Sequence, residues 1–371
     1  MAETRFRITY VLTCGAGEDA AGKARGIAFE QTVELPEACV RADLREQIVG
    51  RVERVDPLGG ERSRVVISYP AEAVGTEIPQ ALNLIFGNIS LQRGILVEDV
   101  DWPASWLKLL AGPRFGVEGL RGLCGVTRRR PLLCAALKPV GLSPAELARI
   151  CGEFAEGGVD IVKDDHGLAD QPDAPFRERL DLCAEAVERA NARGGGSTLY
   201  VPNVTGPAAE LEQRVEMARL AGCRMVLLSP LLVGPDVARR VAAESGLAVL
   251  AHPALSGAFF GRDHGIAPRV LLGDLFRILG SDGVIYPNAG GRFPFDEETC
   301  SAIAERLRGP LDGLRPAFPV LGGGIDAGKL VQWIDHHGFD TIFLVGGSLY
   351  AQPDLVRASE ALAAAIRSAE E

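Results

Sequence analysis

Lysine is scarce in this chain: only five lysines stand among its 39 basic residues. Each lysine's position is therefore informative. Long apolar runs are missing too. No stretch reaches the roughly 18 residues needed to span a bilayer, which excludes a membrane-spanning protein. The opening MAETRFRITYVL carries acid early and lacks a basic patch followed by an apolar core, so no secretory signal is expected. There is no C-x-x-C pair. Eight cysteines (14, 39, 124, 134, 151, 183, 223 and 300) are scattered singly, the pattern of reduced, mostly buried thiols in a cytoplasmic protein. An excess of basic charge is also absent. The net charge of −10 argues against a nucleic-acid groove or a polybasic membrane patch.

The chain's 371 residues, 47% of them hydrophobic, suffice for about two domains, or one large barrel with an appendage. Before about residue 115, alternating segments such as Arg5–Thr13 and Ser63–Tyr69 mix with polar helical stretches such as Glu37–Gln47. This reads as a small α+β domain with an antiparallel sheet. A hinge-like stretch, AGPRFGVEGLRGLCGVTRRRP, follows. From Pro131 onward, eight short apolar runs alternate with amphipathic segments: 132–139, 159–165, 198–205, 224–230, 247–253, 282–288, 317–324 and 341–348. Near-continuous hydrophobic strands are buried on both faces, as parallel strands are. No G-x-G-x-x-G follows the first of them, and a count of eight favours a closed (β/α)8 barrel over an open doubly wound sheet. Ser143, with Glu146 three residues on, predicts a capped helix start.

In such a barrel the carboxyl ends of the strands hold the chemistry. The first strand ends in Lys138, the second in Lys163-Asp164-Asp165-His166, the third in Asn203, the fifth in His252 and the sixth in Asn288. Gly322-Gly323-Gly324 and Gly346-Gly347 close the seventh and eighth. A lysine beside an apolar strand is partly desolvated, which favours the neutral amine and equips it for acid/base work or carbamylation. KDDH is either a set of ligands for a hard cation or a salt-bridged loop. For one of its aspartates the second reading holds, because alternate strand residues face opposite ways. Two glycine turns at the seventh and eighth strand ends suit a phosphate, whose oxygens can approach backbone N–H groups unhindered by a Cβ. His252 is a general acid/base or a hydrogen-bonded core histidine. His336 and His337 end a helix where cations suit the dipole. Ser256 lacks a suitably placed His/Asp pair for a hydrolase triad. Lys23, Lys108 and Lys329 read as surface lysines.

The segment PLLCAALKPVGLSPAELARICGEFAEGGVDIVKDDHGLADQPDAPFRERL resembles the RuBisCO large chain, whose first barrel strand ends in K-P-K-x-G-L-S and whose second ends in K-D-D-E. LNLIFGNISLQRGILVEDVDWPASWLK, TLYVPNVTG, HGIAPRVLLGDLFRILGSDGVIYP, PVLGGGI and FLVGGSLYAQPD match in the same order, most convincingly across residues 79–352. The resemblance implies an α/β fold: an amino-terminal α+β (ferredoxin-like) domain over 1–118 and a TIM-barrel catalytic domain over 119–371. It implies that Lys138 manages the proton during enolisation. It also implies that Lys163, once carbamylated, holds Mg2+ with Asp165, and that His252 is an active-site histidine. Gly324, Gly346 and Gly347 match phosphate-binding positions, and Asn203 falls at the substrate site. Asn88 matches a residue that reaches the partner subunit's site, and Glu30 is aligned loosely with another. A homodimer or a higher oligomer of dimers follows, with no nucleic-acid or membrane partner.

The departures from the motif set the expected function. His166 replaces the third metal carboxylate, and Val140 stands where a second lysine belongs. Pro253 replaces an arginine, Tyr286 falls where a histidine is expected, and Arg292 is the only stand-in for a mobile loop lysine. These losses take away much of one phosphate site, leave the glycine site intact, and argue against carboxylation of a bisphosphate. The pattern resembles the non-carboxylating RuBisCO-like proteins, acting through an enolate on one phosphorylated sugar or sugar-acid. Decarboxylation of an oxo-sugar-acid phosphate (3-oxo-isoapionate 4-phosphate type) is the first expectation, since it needs an electron sink but no base to start it. Enolisation or isomerisation of a methylthioribulose-phosphate-type substrate in sulfur salvage is the second, and a catalytically silent scaffold or stress-response protein the third.

Overall fold

Alternation along Arg5–Thr13 puts Phe6, Ile8, Tyr10 and Leu12 on one face, and all four are fully buried. Each contributes about 1.5–3 kcal/mol by leaving water. In the computed structural model, which describes residues 4–325 and 328–369, this strand (β1) is central to a sheet. The sheet also contains β2 (Arg51–Gly59), β3 (Arg62–Pro70) and β4 (Ile95–Asp101), all antiparallel, with β1 lying between β3 and β4. Helices Ala20–Glu30 and Ile78–Phe86 belong to the same unit, and the Tyr10 hydroxyl donates to Ile85 O at 2.9 Å. Lys23 is not the solvated lysine expected from sequence. Its ammonium, on a side chain 10% exposed, donates to Thr13 O and Arg93 O and pairs with Glu18.

Two compact units emerge, Met1–Leu110 with Leu255–Leu271, and Ala111–Ala254 with Leu272–Glu371. The inserted segment adds the two-residue strand Gly265–Ile266 (β10) to the first sheet, parallel to β4. Within that unit His264 Nε2 lies 3.0 Å from Ser90 O.

The second unit is the barrel. Its strands are β5 (Leu132–Leu137), β6 (Ile161–Asp164), β7 (Leu199–Val201), β8 (Met225–Leu228), β9 (Ala248–Ala251), β11 (Gly283–Pro287), β12 (Phe318–Gly322) and β13 (Ile342–Val345). All pair in parallel, in the order β7-β6-β5-β13-β12-β11-β9-β8. The ring closes between β7 and β8, where Val204 N–H donates to Leu227 O and Leu227 N–H to Pro202 O, both at 2.9 Å. Every one of the eight apolar runs is a barrel strand. The predicted helix starts at Ser143 with its capping box complete: Ser143 accepts from Glu146 N–H and donates its own N–H to Glu146.

Period-2 alternation decides what fills the barrel. Leu132 and Cys134, Ile161, Leu199 and Val201, Met225 and Leu227, Ala248 and Leu250, Ile285, Phe318 and Val320, and Ile342 form one buried cluster. Val117, Leu120 and Leu123 join it from helix Gly116–Leu123, which occupies the stretch that reads as a hinge. Asp282 fixes the start of that helix by accepting from the N–H groups of Phe115 and Gly116, an anion where the helix dipole favours one.

His337 corrects the reading of a helix-ending cation. Its ring is 5% exposed and stacks on Trp333 at 5.6 Å. Burial, with the charges of His336 and Arg308, pushes its pKa down to about 4. The unfolded chain therefore binds the extra proton first, and stability is lost as pH falls from 6.5 toward 4. His337→Phe keeps the stacking, and its urea-unfolding free energy should fall on the order of 2 kcal/mol less than the parent's between pH 7 and pH 4. Equal losses in the two proteins would refute this account.

Candidate active site

The faces that fill the barrel below reach its mouth two residues at a time. Lys138 continues 132/134/136, Lys163 and Asp165 continue 161, Asn203 continues 199/201, and His252 continues 248/250. Apolar side chains thus give way to ionisable ones at the strand ends.

These groups converge. Lys138 Nζ lies 2.8 Å from Asp165 Oδ1, and His166 Nδ1 lies 3.5 Å from the same oxygen. The His166 and His252 rings stack at 4.2 Å, inclined by 10°. His252 Nδ1 accepts from Ala254 N–H at 3.1 Å, so in the neutral ring the proton sits on Nε2. Lys163 is 1% exposed, with its Nζ donating to Asp164 O at 2.9 Å. Burial lowers its pKa, and the nearby Lys138 charge adds to that. Burial likewise drives His252 down to about 2, helped by the charges of Lys163 and His166. Asp165 responds oppositely. Burial alone would raise its carboxyl, but hydrogen bonds from His166 and Lys138 and the charges of Lys163 and Lys138 hold it far below the usual range.

The two aspartates of KDDH divide as alternation requires. Asp164 faces away from the mouth and is fully buried, accepting from Arg179 Nε at 3.2 Å, the Tyr200 hydroxyl at 2.9 Å and Asn203 N–H at 2.9 Å. The Asn203 amide donates to His166 O and Leu168 O at 3.1 and 2.9 Å. Its side chain is spent on shaping the loop that carries His166.

Gly323 and Gly324 adopt φ of +95° and +70°, conformations that side chains rarely take. A Cβ on Gly324 would meet Gly291 Cα at 3.6 Å, so the turn after β12 lies against the loop after β11. At the end of β13, a Cβ on Gly346 would lie 3.8 Å from Lys138 Cε. The glycine turn and Lys138 are thus immediate neighbours. Arg292 is exposed in the loop after β11, its guanidinium 5.0 Å from the Phe293 ring centre. Asn88 and Glu30 belong to the first unit and hold one another, Asn88 Nδ2 donating to Glu30 Oε1 at 3.1 Å. Sequence reasoning missed Tyr350, whose hydroxyl lies 2.8 Å from Lys138 N and 3.0 Å from Ala136 O.

The donors as placed do not fit a hard divalent cation, which asks for six or more oxygens. Asp165 is the one mouth-facing carboxylate of KDDH, and Lys138 and His166 already engage it. No cluster of three His, Cys, Asp or Glu suited to a metal occurs among the described residues. A second oxygen donor would require Lys163 to carry a carbamate, as the family resemblance implies.

Two lysines, a carboxylate, two imidazoles and two glycine turns thus stand at the strand ends of a β/α barrel, the face that carries the chemistry of enzymes with this fold. Residues 121–371 match the sequence profile of the ribulose bisphosphate carboxylase large chain, catalytic domain. The chain is 41% identical to "Ribulose bisphosphate carboxylase-like protein 1" of Rhodopseudomonas palustris, over 94% of this chain and 93% of that protein. It is 39% identical to the "5-methylthioribulose-1-phosphate isomerase" of Rhodospirillum rubrum, over 98% of this chain and 96% of that one. Its fold superposes on the crystal structure of a Rubisco-like protein from Rhodopseudomonas palustris with a TM-score of 0.90, at 38% identity and 99% coverage of both chains. The chain belongs to the RuBisCO large-chain family. Within it, the chain is an enzyme of the RuBisCO-like group.

Proposed function

We propose that this enzyme moves a proton between adjacent carbons of a phosphorylated ketose through an enolate, on a substrate of the methylthioribulose-phosphate type. The observation that carries the reading is the meeting of Lys138, Lys163, Asp165, His166 and His252 beside the Gly346 turn. Isomerisation needs a group to take a proton from the carbon beside the carbonyl and a group to return one. Lys163, its amine favoured by burial, is the base; the ammonium it becomes returns a proton to the neighbouring carbon, while the hydroxyl proton passes from one oxygen of the enediolate to the other. Lys138, ion-paired to Asp165, supplies positive charge to the developing oxyanion, and His252 offers a neutral Nε2–H donor. Backbone N–H groups at Gly324, Gly346 and Gly347 hold the single phosphate. The isomerase named among the relatives supports this reading over decarboxylation.

Decarboxylation of an oxo-sugar-acid phosphate keeps one specific support. A Lys138 cation fixed at 2.8 Å by Asp165 suits an enolate left behind by departing CO2, and no base is needed to begin. Incubation in D2O separates the two. Deuterium entering a ketose phosphate beside its carbonyl, without CO2, is the expected result. CO2 release from an oxo-acid phosphate without exchange would install the second reading, and inertness toward both would leave the scaffold.

We also infer a cytoplasmic homodimer in which Asn88 and Glu30 complete the partner's site. The unpaired thiols of all eight cysteines suit a reducing compartment. A monomer by light scattering would remove both residues from the site.

A further inference from the structure

Strand β13 pairs with β5 up to Val345 opposite Ala135. Carried two residues further, that register would set Gly347 opposite Leu137. There its N–H and C=O would meet Ala136 O and Lys138 N–H, the next rung of a parallel ladder. The chain leaves the sheet instead. It turns at Gly346, with φ −133° and ψ −102°, into the one-turn helix Gly347–Tyr350. The phenol at the end of that turn takes the vacated rung. Tyr350 donates its hydroxyl to Ala136 O at 3.0 Å and accepts from Lys138 N–H at 2.8 Å, reproducing both bonds that Gly347 would have made. Gly347, now the first residue of a helical turn, has no intrahelical acceptor for its N–H.

The ring is held as firmly as the hydroxyl. Phe154, on helix Pro144–Glu156, meets it edge-on at 5.7 Å. Burial pushes the phenol's pKa well above its usual value, so it stays a hydroxyl able to donate and accept at once. One short turn therefore begins at Gly346–Gly347 and carries, at its end, the group that fixes the backbone of Lys138.

We propose that Tyr350 is a positioning residue that couples occupation of the Gly346–Gly347 corner by a phosphate to the placement of Lys138. An anion drawing on the N–H groups of the turn shifts that turn, and the phenol hands the shift to the Lys138 backbone. Substrates with a phosphate thereby set the amine that acts on them. This rests on the phosphate corner assigned under the proposed function.

The test uses the intact protein, inorganic phosphate as probe and Tyr350→Phe as variant, which keeps the ring against Phe154. Phosphate affinity is measured by calorimetry, and Lys138 reactivity by mass spectrometry after brief treatment with an amine-acylating reagent. Saturating phosphate should change the Lys138 modification rate in the parent by about fivefold, the scale of one hydrogen bond. In Tyr350→Phe, phosphate should bind within about threefold of the parent while the change at Lys138 falls below about 1.5-fold. A full change in the variant overturns the coupling. Should the variant misfold, amide hydrogen exchange of Lys138 in the parent decides: phosphate slows it if the coupling exists, and leaves it unaltered if not. Failure of phosphate to bind the parent at all instead removes the anion corner itself, and with it both proposals.

Discussion

Replacing Lys138 by methionine lowers turnover by about a thousandfold while leaving phosphate affinity within about threefold of the parent. Methionine keeps the length and much of the volume of the lysine and deletes only the ammonium. In the proposed mechanism the chemical step then loses the positive charge that meets the developing oxyanion, an effect concentrated in kcat because the charge matters most once the enolate forms. In the same reading binding is spared, since the proposed glycine corner acts through backbone N–H groups, although a Cβ at Gly346 would lie only 3.8 Å from Lys138 Cε. Asp165 keeps His166 at 3.5 Å and loses its partner at 2.8 Å. Its carboxyl then moves upward toward the ordinary range. The measurement is deuterium incorporation from solvent into the ketose phosphate, followed alongside phosphate binding. Turnover within tenfold of the parent would remove Lys138 from the chemistry. A chain kept only as a scaffold would be indifferent to the change in every readout.

Much of this site could be read from sequence because barrel strands leave a strong imprint. Eight buried parallel strands need eight apolar runs, and the residues that end those runs face the mouth or the shell by simple parity. Lysine scarcity made Lys138 and Lys163 conspicuous, and parity separated Asp165 from Asp164. Other features left no such imprint. Gly265–Ile266 is two residues long, too short for any periodicity, so the return of segment Leu255–Leu271 to the first unit was invisible. Helix Gly116–Leu123 carries glycine at 116, 119 and 122 and therefore reads as a hinge, although its apolar face closes the barrel core. His337 looked like a helix-ending cation because sequence shows the helix end but not the Trp333 ring covering it. Tyr350 lies within the segment FLVGGSLYAQPD, but it is 212 residues from Lys138 and nothing in that segment points to the lysine, so only the folded chain brings them together.

The second large effect is on stability, at the aspartate that does no chemistry. Asp164→Asn should cost about 3–5 kcal/mol in urea unfolding, the usual result of stripping one partner from a buried ion pair. Asp164 and Arg179 are both fully buried, and the carboxylate accepts three bonds, from Arg179, Tyr200 and the Asn203 backbone. An amide offers one oxygen where two are used. It also turns an NH2 toward groups that now donate to the carboxylate, and it leaves the guanidinium charge buried against the Ala174 and Ala169 carbonyls and the Phe176 ring without its carboxylate. The damage travels to the mouth through Asn203, whose amide holds the His166 and Leu168 carbonyls, so the variant should lose activity even where it remains folded. A double replacement, Asp164→Leu with Arg179→Met, separates the two roles. Removing both charges relieves the desolvation cost, so the pair should be less destabilising than Asp164→Asn alone. Activity should stay low, because the Asn203 backbone has lost its acceptor. Recovery of stability without recovery of turnover would show that this buried network is kept to shape the site. Equal recovery of both would reduce it to an ordinary packing element, and a cost below about 1 kcal/mol for Asp164→Asn would refute the ion-pair account outright.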